Sequence, residues 1–460
     1  MKLKNTIIIC NTLSLSFLLS CAGNETLRNN DVPTGFEAMA KLERLPLMYP
    51  PGTKKNRQIT YDPTGGNGFG MFLSMFKKYV DDKGDMIRDS QVIYPQSTGQ
   101  LPVIDFSKDY PKIEQRLQDI AEIEYIPLET TNNVLLSDQD VLSYVSDKYI
   151  LIYSPARGDI FVFNRTGKLY SHFNHKGQSG QDYSLISAAG VIMDEKNEEI
   201  FVCSKSIQVY TLKGEYKRTL KKNTIQDESK VYNFDDESLL VYDDVIVDPN
   251  IESKNNTNPY SLISKIDGNV IYVFEIHLPE RYTTRIAQMS DNKNFTINQI
   301  YVPYFSMFYG QDFVIADISS DTLYLLSQDK ELTPLLVRNP SVHISEPRIV
   351  WITLLTTDKF ILFGKLTLDF NSRGGRIPIF MYEFETNETK ELTISDTEFD
   401  RRRWAPGLVP AMPKNMTAEL IWPSSMIDAY KKKKLNEDFE KLAITLKEDD
   451  NPIVRIVKFK

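Results

Sequence analysis

Tyr149-Ile150-Leu151-Ile152-Tyr153, then Asp159-Ile160-Phe161-Val162-Phe163, then the turn Asn164-Arg165-Thr166-Gly167 and a last short run from Leu169 to Phe173: this stretch decides the fold. Each run is short, β-branched or aromatic, and bounded by turn formers, which is how the strands of an antiparallel meander are written. The pattern returns as Glu199-Ile200-Phe201-Val202, Ile207-Gln208-Val209-Tyr210, the turn Leu212-Lys213-Gly214, and Tyr216 to Leu220; the two turn glycines lie 47 residues apart. Later hairpins turn at Asp267-Gly268-Asn269, Gln328-Asp329-Lys330 and Thr386-Asn387-Glu388, after the runs Leu239-Leu240-Val241-Tyr242, Phe313-Val314-Ile315-Ala316 and Phe360-Ile361-Leu362-Phe363. Five such units fall between about 137 and 395. A period of roughly 40–50 residues with four short strands each predicts a β-propeller, because one four-stranded sheet cannot bury both faces until neighbours stack on it radially. Closure asks for one more blade, and Ile123–Leu128, Leu420-Ile421-Trp422 and Ile453–Val457 are the pieces left to make it. The expected fold is all-β: a six-bladed β-propeller closed by strands from both termini. Two stacked β-sandwiches, the alternative, would show no common spacing.

Outward from the repeats the chain changes character. Residues 21–100 hold Pro46, Pro50, Pro51, Pro63, Pro95 and the cluster Gly65-Gly66-Asn67-Gly68-Phe69-Gly70. That density of breakers predicts a tether and an irregular accessory segment. The glycine cluster is no phosphate loop, since no Gly-Lys-Ser/Thr follows it. Residues 101–460 are assigned to the propeller, including one C-terminal amphipathic helix over 424–447 and a closing strand over 453–459. Ser424 or Ser425 is placed to cap that helix, and Leu435, Phe439, Leu442 and Leu446 give it one apolar stripe. Lys431 to Lys434 are followed closely by acidic residues, which reads as a solvated face.

Met1-Lys2-Leu3-Lys4, the apolar stretch Ile7 to Leu19 and the ending Leu18-Leu19-Ser20-Cys21 have the layout of a secretory signal over residues 1–20. The ending resembles the bacterial lipobox, in which the cysteine thiol is acylated and becomes the new N-terminus. Cys21 is therefore the expected lipidation site, and multiple acyl chains there would anchor the chain stably to a membrane. Cys10 would leave with the signal and Cys21 would carry lipid, which leaves Cys203 alone. No internal disulfide is expected, and Cys203, within Ile200-Phe201-Val202-Cys203, reads as a buried thiol. The expected address is the cell envelope, lipid-anchored, at the outer membrane.

The chain has 460 residues, 54 basic and 62 acidic side chains, a net charge of −8 and a pI near 5.3. That balance argues against a nucleic-acid partner, which would need a basic face. With 24 Tyr, 24 Phe and 21 Gly, the composition also favours strands over helical bundles.

Chemistry is harder to read. Of the histidines His172, His175, His277 and His343, only His172 and His175 lie close in sequence, and on a strand their offset of three points them to opposite faces. They are expected as exposed loop residues, retained as candidate ligand contacts with the metal left unassigned. No zinc spacing and no Gly-x-Ser-x-Gly motif occurs. Asp235-Asp236-Glu237, Asp243-Asp244, Asp317 with Asp321, and Asp396 to Asp400 are expected mainly as turn caps. Arg401-Arg402-Arg403-Trp404 is a denser signal, because guanidiniums beside an indole can grip an anion or stack on a sugar.

Gly177-Gln178-Ser179-Gly180-Gln181-Asp182-Tyr183, Val191-Ile192-Met193-Asp194, Glu199 to Val202, Ile207 to Tyr210 and Gly214 resemble an NHL-type propeller repeat. Leu101-Pro102-Val103-Ile104-Asp105-Phe106 with Ile123 to Thr130, and the ending Lys447 to Pro452, are similar to the six-bladed β-propeller lipoproteins of Bacteroidetes, a TolB-like group. The resemblance spans about 101–460. The loop of that family usually reads Gly-x-Gly-Pro-Gly-Glu-Tyr, and Ser179, Gln181 and Asp182 depart from it here. The resemblance implies a binding scaffold for a protein, peptide or glycan with no firm cofactor. The alternative is a Ca²⁺-dependent hydrolase or lyase, similar to propeller lactonases, with its site in the channel. A purely structural subunit is the third reading.

Overall fold

Short alternating runs pair first with their sequence neighbours, because a tight turn brings them together at little entropic cost. The computed structural model describes residues 101–460 apart from 222–228, 245–257, 277, 279, 284, 290–294, 300–306, 310, 346, 370–376, 400, 408, 410, 434 and 436. The signal segment, Cys21, the glycine cluster and His277 lie outside the described residues.

The chain opens with β1 (Val103–Asp105), β2 (Lys112–Arg116), one turn of helix α1 (Leu117–Ile120) and β3 (Ala121–Pro127). Blade 1 follows as β4 (Val141–Val145), β5 (Tyr149–Tyr153), β6 (Ile160–Asn164) and β7 (Leu169–Phe173). Blade 2 is β8 (Val191–Asp194), β9 (Glu199–Cys203), β10 (Ile207–Thr211) and β11 (Tyr216–Leu220). Blade 3 is β12 (Lys230–Asn233), β13 (Ser238–Tyr242), β14 (Tyr260–Ser264) and β15 (Val270–Val273). A separate hairpin, β16 (Arg285–Met289) with β17 (Phe295–Gln299), precedes blade 4, which is β18 (Met307–Tyr309), β19 (Asp312–Ile315), β20 (Thr322–Leu326) and β21 (Leu332–Asn339). Blade 5 is β22 (Ile349–Thr356), β23 (Phe360–Thr367), β24 (Ile379–Glu383) and β25 (Glu388–Asp396), with β26 (Arg401–Trp404) folded back on β25. Blade 6 is composite. β27 (Met416–Ile421) pairs with β28 (Ile453–Phe459), and β28 pairs with β3 from the other end of the chain. Ala411 forms an isolated parallel bridge with Tyr144 of β4.

Six apolar clusters sit between successive blades. Phe173, Val191 and Tyr210 join blades 1 and 2; Phe201, Leu220 and Ile263 join 2 and 3; Tyr232, Tyr260 and Phe313 join 3 and 4. Trp351 and Phe363 meet Val314 between 4 and 5, Leu392 meets Val457 between 5 and 6, and Phe163 meets Ile456 across the closure. Each fully buried phenyl ring is worth about 1.5–3 kcal/mol of transfer free energy. The core is thus a ring of inter-sheet layers, as the repeat requires. Cys203 lies in one of them, buried.

The opening strands form a strap. β1 adds in parallel to the outer edge of blade 4, β2 adds in parallel to blade 5, and β3 completes blade 6. Val337 N donates to Pro102 O (3.0 Å), Phe106 N to Asn339 O (2.7 Å) and Glu391 N to Pro111 O (2.9 Å). Phe106 then packs edge-on against Trp351 and Phe363. Among the described residues, blades 1 to 3 receive no such strand.

The expected single helix over 424–447 is two helices, α2 (Pro423–Lys431) and α3 (Glu437–Thr445). Pro423, not a serine cap, starts α2: its fixed φ suits the first helical position, and Trp422 precedes it without a side-chain cap. The helix stops where four lysines follow one another, and Lys433 takes a left-handed φ of 53°. The apolar stripe is real, since Phe439 is buried with Met426, Ile421 and Ile453, and Leu435, Leu442 and Leu446 pack against them.

Candidate functional site

In a four-stranded meander, successive connections alternate between the two ends of the blade. One end carries the turns between strands 1–2 and 3–4. These are tight: Gly167 N donates to Asn164 O, Gly214 N to Thr211 O, and Lys330 N to Ser327 O. Gly167, Gly214 and Gly268 have φ of 81°, 85° and 80°, a region that costs other residues roughly 1–2 kcal/mol. Each also lies against the blade before it. A Cβ on Gly214 would stand 2.5 Å from Phe173 Cγ, and one on Gly268 2.7 Å from Lys221 O.

The other end carries the 2–3 connections and the blade-to-blade crossings. Here lie the crossings that follow β7 and β21, the start of the segment that follows β25, and the helical insertion between β27 and β28. This end is long-looped and is the face on which a partner could be read. His175, the loop Gly177–Tyr183 and Arg403 are on it. Tyr183 is fully buried, donates to Gly158 O (2.6 Å) and accepts from His175 N (2.9 Å); burial pushes its phenol up to about 12. Asp182 accepts from Ser179 N (2.8 Å), which holds its carboxyl below the ordinary aspartate value. Tyr210 Oη donates to Gln181 O at 2.5 Å. The loop is therefore a latch between blades 1 and 2, and the departures at Ser179, Gln181 and Asp182 still build it.

The structure does not bring the two histidines together. His172 is on β7, not in a loop; its Nε2 lies 3.1 Å from Asp159 Oδ1 and its ring stacks on Phe161. His175 Nε2 lies 2.7 Å from Gly214 O, and its ring stacks on Tyr210. Each is held by its own aromatic and its own oxygen: His172 is exposed, as expected, but belongs to a strand, and His175 lies in a loop, as expected, but is half-buried. Trp404 is also not offered to a ligand. It is buried against Leu355, Met381 and Phe459, and its Nε1 donates to Glu419 Oε1 (3.0 Å). Arg403 is exposed, while the side chains of Arg401 and Arg402 lie outside the described residues. The turn-cap expectation for carboxylates is met at Asp235, Asp317 and Asp321, which accept from Ser238 N, Ser319 N and Val342 N. Among the described residues no three His, Cys, Asp or Glu side chains are arranged to hold a metal ion.

Two features escaped the sequence reading. The first is a recess of about 440 Å³, including solvent at its mouth, formed where inner strands meet. Ser143 and Tyr144 of β4, Val191 to Met193 of β8, Lys230 to Asn233 of β12, Phe308 of β18 and Ala411 line it. Ser143, 5% exposed, has an Oγ with no hydrogen-bond partner, and Asn233 Oδ1 is in the same condition. A buried polar atom left unpaired costs about 1–3 kcal/mol, so both are poised to gain from a hydrogen-bonding ligand or water. Tyr144 Oη donates to Glu195 Oε2 (3.0 Å), and burial pushes its phenol up.

The second is the ring closure. Arg455, wholly buried on β28, donates from Nη1 to Asp396 (2.7 Å) and Glu419 (3.0 Å), from Nη2 to Glu398 (2.9 Å), and from Nε to Tyr125 Oη (2.9 Å). Burial alone would lower the guanidinium pKa; the hydrogen bond to Asp396 and the charges of Tyr125, Asp396 and Glu419 together outweigh it, and the value is raised. A lone arginine in Ile453-Val454-Arg455-Ile456-Val457 was the only signal for this network.

The chain belongs to the DUF4934 family, described as a domain of unknown function, whose profile matches residues 101–458. No curated protein matches it. Among solved structures it is similar to a Bacteroides fragilis NCTC 9343 protein inferred to be exported, with 13% identity, 78% of this chain and 99% of that chain covered, and a TM-score of 0.52. A DUF4221-family member from Bacteroides vulgatus ATCC 8482 aligns at 10% identity over 74% and 97% of the two chains, with a TM-score of 0.39. A streptogramin B lyase aligns at 10% identity over 60% and 88%, with a TM-score of 0.28. The first likeness supports the fold; the other two carry no argument.

Proposed function

We propose that this DUF4934 propeller is a lipid-anchored extracytoplasmic binding module of the outer membrane, tethered through Cys21. It takes a protein, peptide or glycan on its long-looped end. The observation that carries this reading is the division of labour between the ends, together with the unpaired Ser143 Oγ and Asn233 Oδ1 in the recess. Neutral donors and acceptors among Tyr144, Tyr153 and Phe308 suit a hydroxyl- or amide-bearing ligand. Lipid attachment rests on the Leu18-Leu19-Ser20-Cys21 signature, which a Cys21→Ser chain released from the membrane fraction would support.

The test is thermal unfolding of the purified chain against panels of oligosaccharides and peptides, in EDTA and then in Ca²⁺. A ligand at 100 times its Kd stabilises by about 2.7 kcal/mol. A saturable rise in EDTA that Ser143→Ala or Asn233→Ala diminishes supports the module. A rise that requires Ca²⁺, with turnover of a lactone or sugar ester, would replace it with the metal-dependent hydrolase.

A further inference from the structure

Strand β4 breaks its own alternation at Ser143. Val141 and Tyr144 pack into the layer between blades 1 and 2, while Leu142 and Val145 pack into the layer between blades 6 and 1. Strict alternation would put Val141, Ser143 and Val145 on one face. The pairing with β5 shows the cause: Leu142 faces Ile152 and Tyr144 faces Leu151, so Ser143 is an extra residue with no partner across the ladder. Such a bulge re-aims a side chain, and here the Ser143 hydroxyl is left beside the recess, buried and without a hydrogen-bond partner. β8 lies between β4 and β12. On its far side Asn233, the last residue of β12, lines the same recess with an unpaired Oδ1.

We infer that this pair reads an acetamido group borne on a sugar, which rests on the binding-module reading above and names what its recess takes. Asn233 Oδ1 is an obligate acceptor and needs an N–H or O–H, whereas Ser143 Oγ donates or accepts. A trans secondary amide offers one N–H and one carbonyl pointing in opposite directions, which suits partners on either side of β8. A turn of the Asn233 amide exchanges the roles and keeps the match. The wall between the two is apolar, with Ala189, Val191, Ile192 and Met193, and suits the methyl group. Lys230 is the one charged residue that lines the recess, and its ammonium donates to Ala188 O (3.4 Å). Much of the 440 Å³ is open solvent at the mouth, and the enclosed part has the size of a substituent rather than of a ring. The amide must therefore be short-stemmed, carried on a ring that stays at the mouth. Tyr144, Tyr153 and Phe308 add apolar surface for its C–H groups. An acetylated lysine bears the same amide at the end of a flexible four-carbon stem, which a shallow recess does not accommodate.

Calorimetric titration of the full chain tests this with methyl N-acetylglucosaminide, with methyl glucoside, which carries a hydroxyl in place of the acetamide, and with a peptide holding Nε-acetyl-lysine. The acetamido sugar should bind at least about tenfold more tightly than methyl glucoside, as two added hydrogen bonds imply. Ser143→Ala and Asn233→Ala should each remove about fivefold of that preference. The melting midpoint of unliganded Ser143→Ala should hold or rise, because the hydroxyl it loses is buried and unpaired. Equal binding of the two glucosides overturns the inference and leaves the binding module standing, as does a preference that both variants keep. A peptide that binds where the acetamido sugar does not overturns the assignment to a sugar. Failure of the acetamido sugar to bind at millimolar concentration overturns it too. The module reading itself fails separately, when the whole panel of oligosaccharides and peptides leaves the unfolding midpoint unmoved.

Discussion

Blades 1 to 3 and blades 4 to 6 are built from the same kind of strand but completed differently. In the first half each blade is, among the described residues, consecutive in sequence, and its 3–4 turn seats a left-handed glycine on the blade before it. In the second half each blade borrows a strand from residues 103–127, and the equivalent turns carry Lys330 and Asn387 at φ of 67° and 56°. One half can assemble by local pairing. The other must wait for the N-terminal strap to reach strands more than 200 residues away, as Val103 does in pairing with Val337. The difference teaches that ring closure here extends over three blades, with Arg455 tying the last strand of the chain to the strap and to blade 5.

The largest expected effect breaks the strapped half. Arg455→Met leaves the fully buried Asp396 without its cationic partner, which should cost about 3–5 kcal/mol. Asp396→Asn/Arg455→Met should recover part of that loss, since the charge that suffers is then gone. Denaturant unfolding with hydrogen exchange would show blades 4 to 6 and the strap losing protection together in the single variant. Equal loss of protection in blade 2 would erase the distinction between the halves.

The next effect lies in the other half. Gly214→Ala forces a Cβ against Phe173 and keeps a left-handed φ, so about 2–4 kcal/mol should be lost. Lys330→Gly changes the matching turn of blade 4 in the opposite direction and should stabilise by about 1 kcal/mol. Both are measured by chemical denaturation. A stabilised Gly214→Ala or a destabilised Lys330→Gly would mean that the two turns are not equivalent positions of one repeat.

Legibility in the sequence follows the same division. The runs at 149–173 and 199–220 declare themselves because strand, turn glycine and spacing all agree within each unit. The composite sixth blade was also readable, since Ile123–Leu128 and Ile453–Val457 had no local partner. β1 and β2 were not readable as strands added to distant blades, because parallel pairing at long range leaves no periodic trace. The site was less legible still. Trp404 is buried and satisfied by Glu419, and the two histidines are held apart by Asp159 and Gly214; such tertiary partners, unlike residue type, are not written locally. Ser143 and Asn233 look ordinary in sequence; only the meeting of four inner strands makes them unpaired neighbours of one recess.

The smallest effect sharpens the comparison by charge. Glu199, buried in blade 2, is pushed upward by burial, but Arg218 (2.6 Å) and Lys217 (2.5 Å) hold its carboxyl below the ordinary value of 4.5. A depressed acid contributes stability above its unfolded pKa and loses that contribution as pH falls through the folded one. The wild type should therefore lose stability below about pH 4.5, and Glu199→Gln should show a shallower acid slope. At pH 7 the substitution should cost under about 2 kcal/mol, because both cations are partly exposed and remain hydrated after the carboxylate is gone. Arg455→Met, in contrast, leaves Asp396 buried beyond the reach of water, so its cost should far exceed that of Glu199→Gln at neutral pH. Equal costs for the two would show that the strapped half is no more dependent on its ion network than the self-contained half.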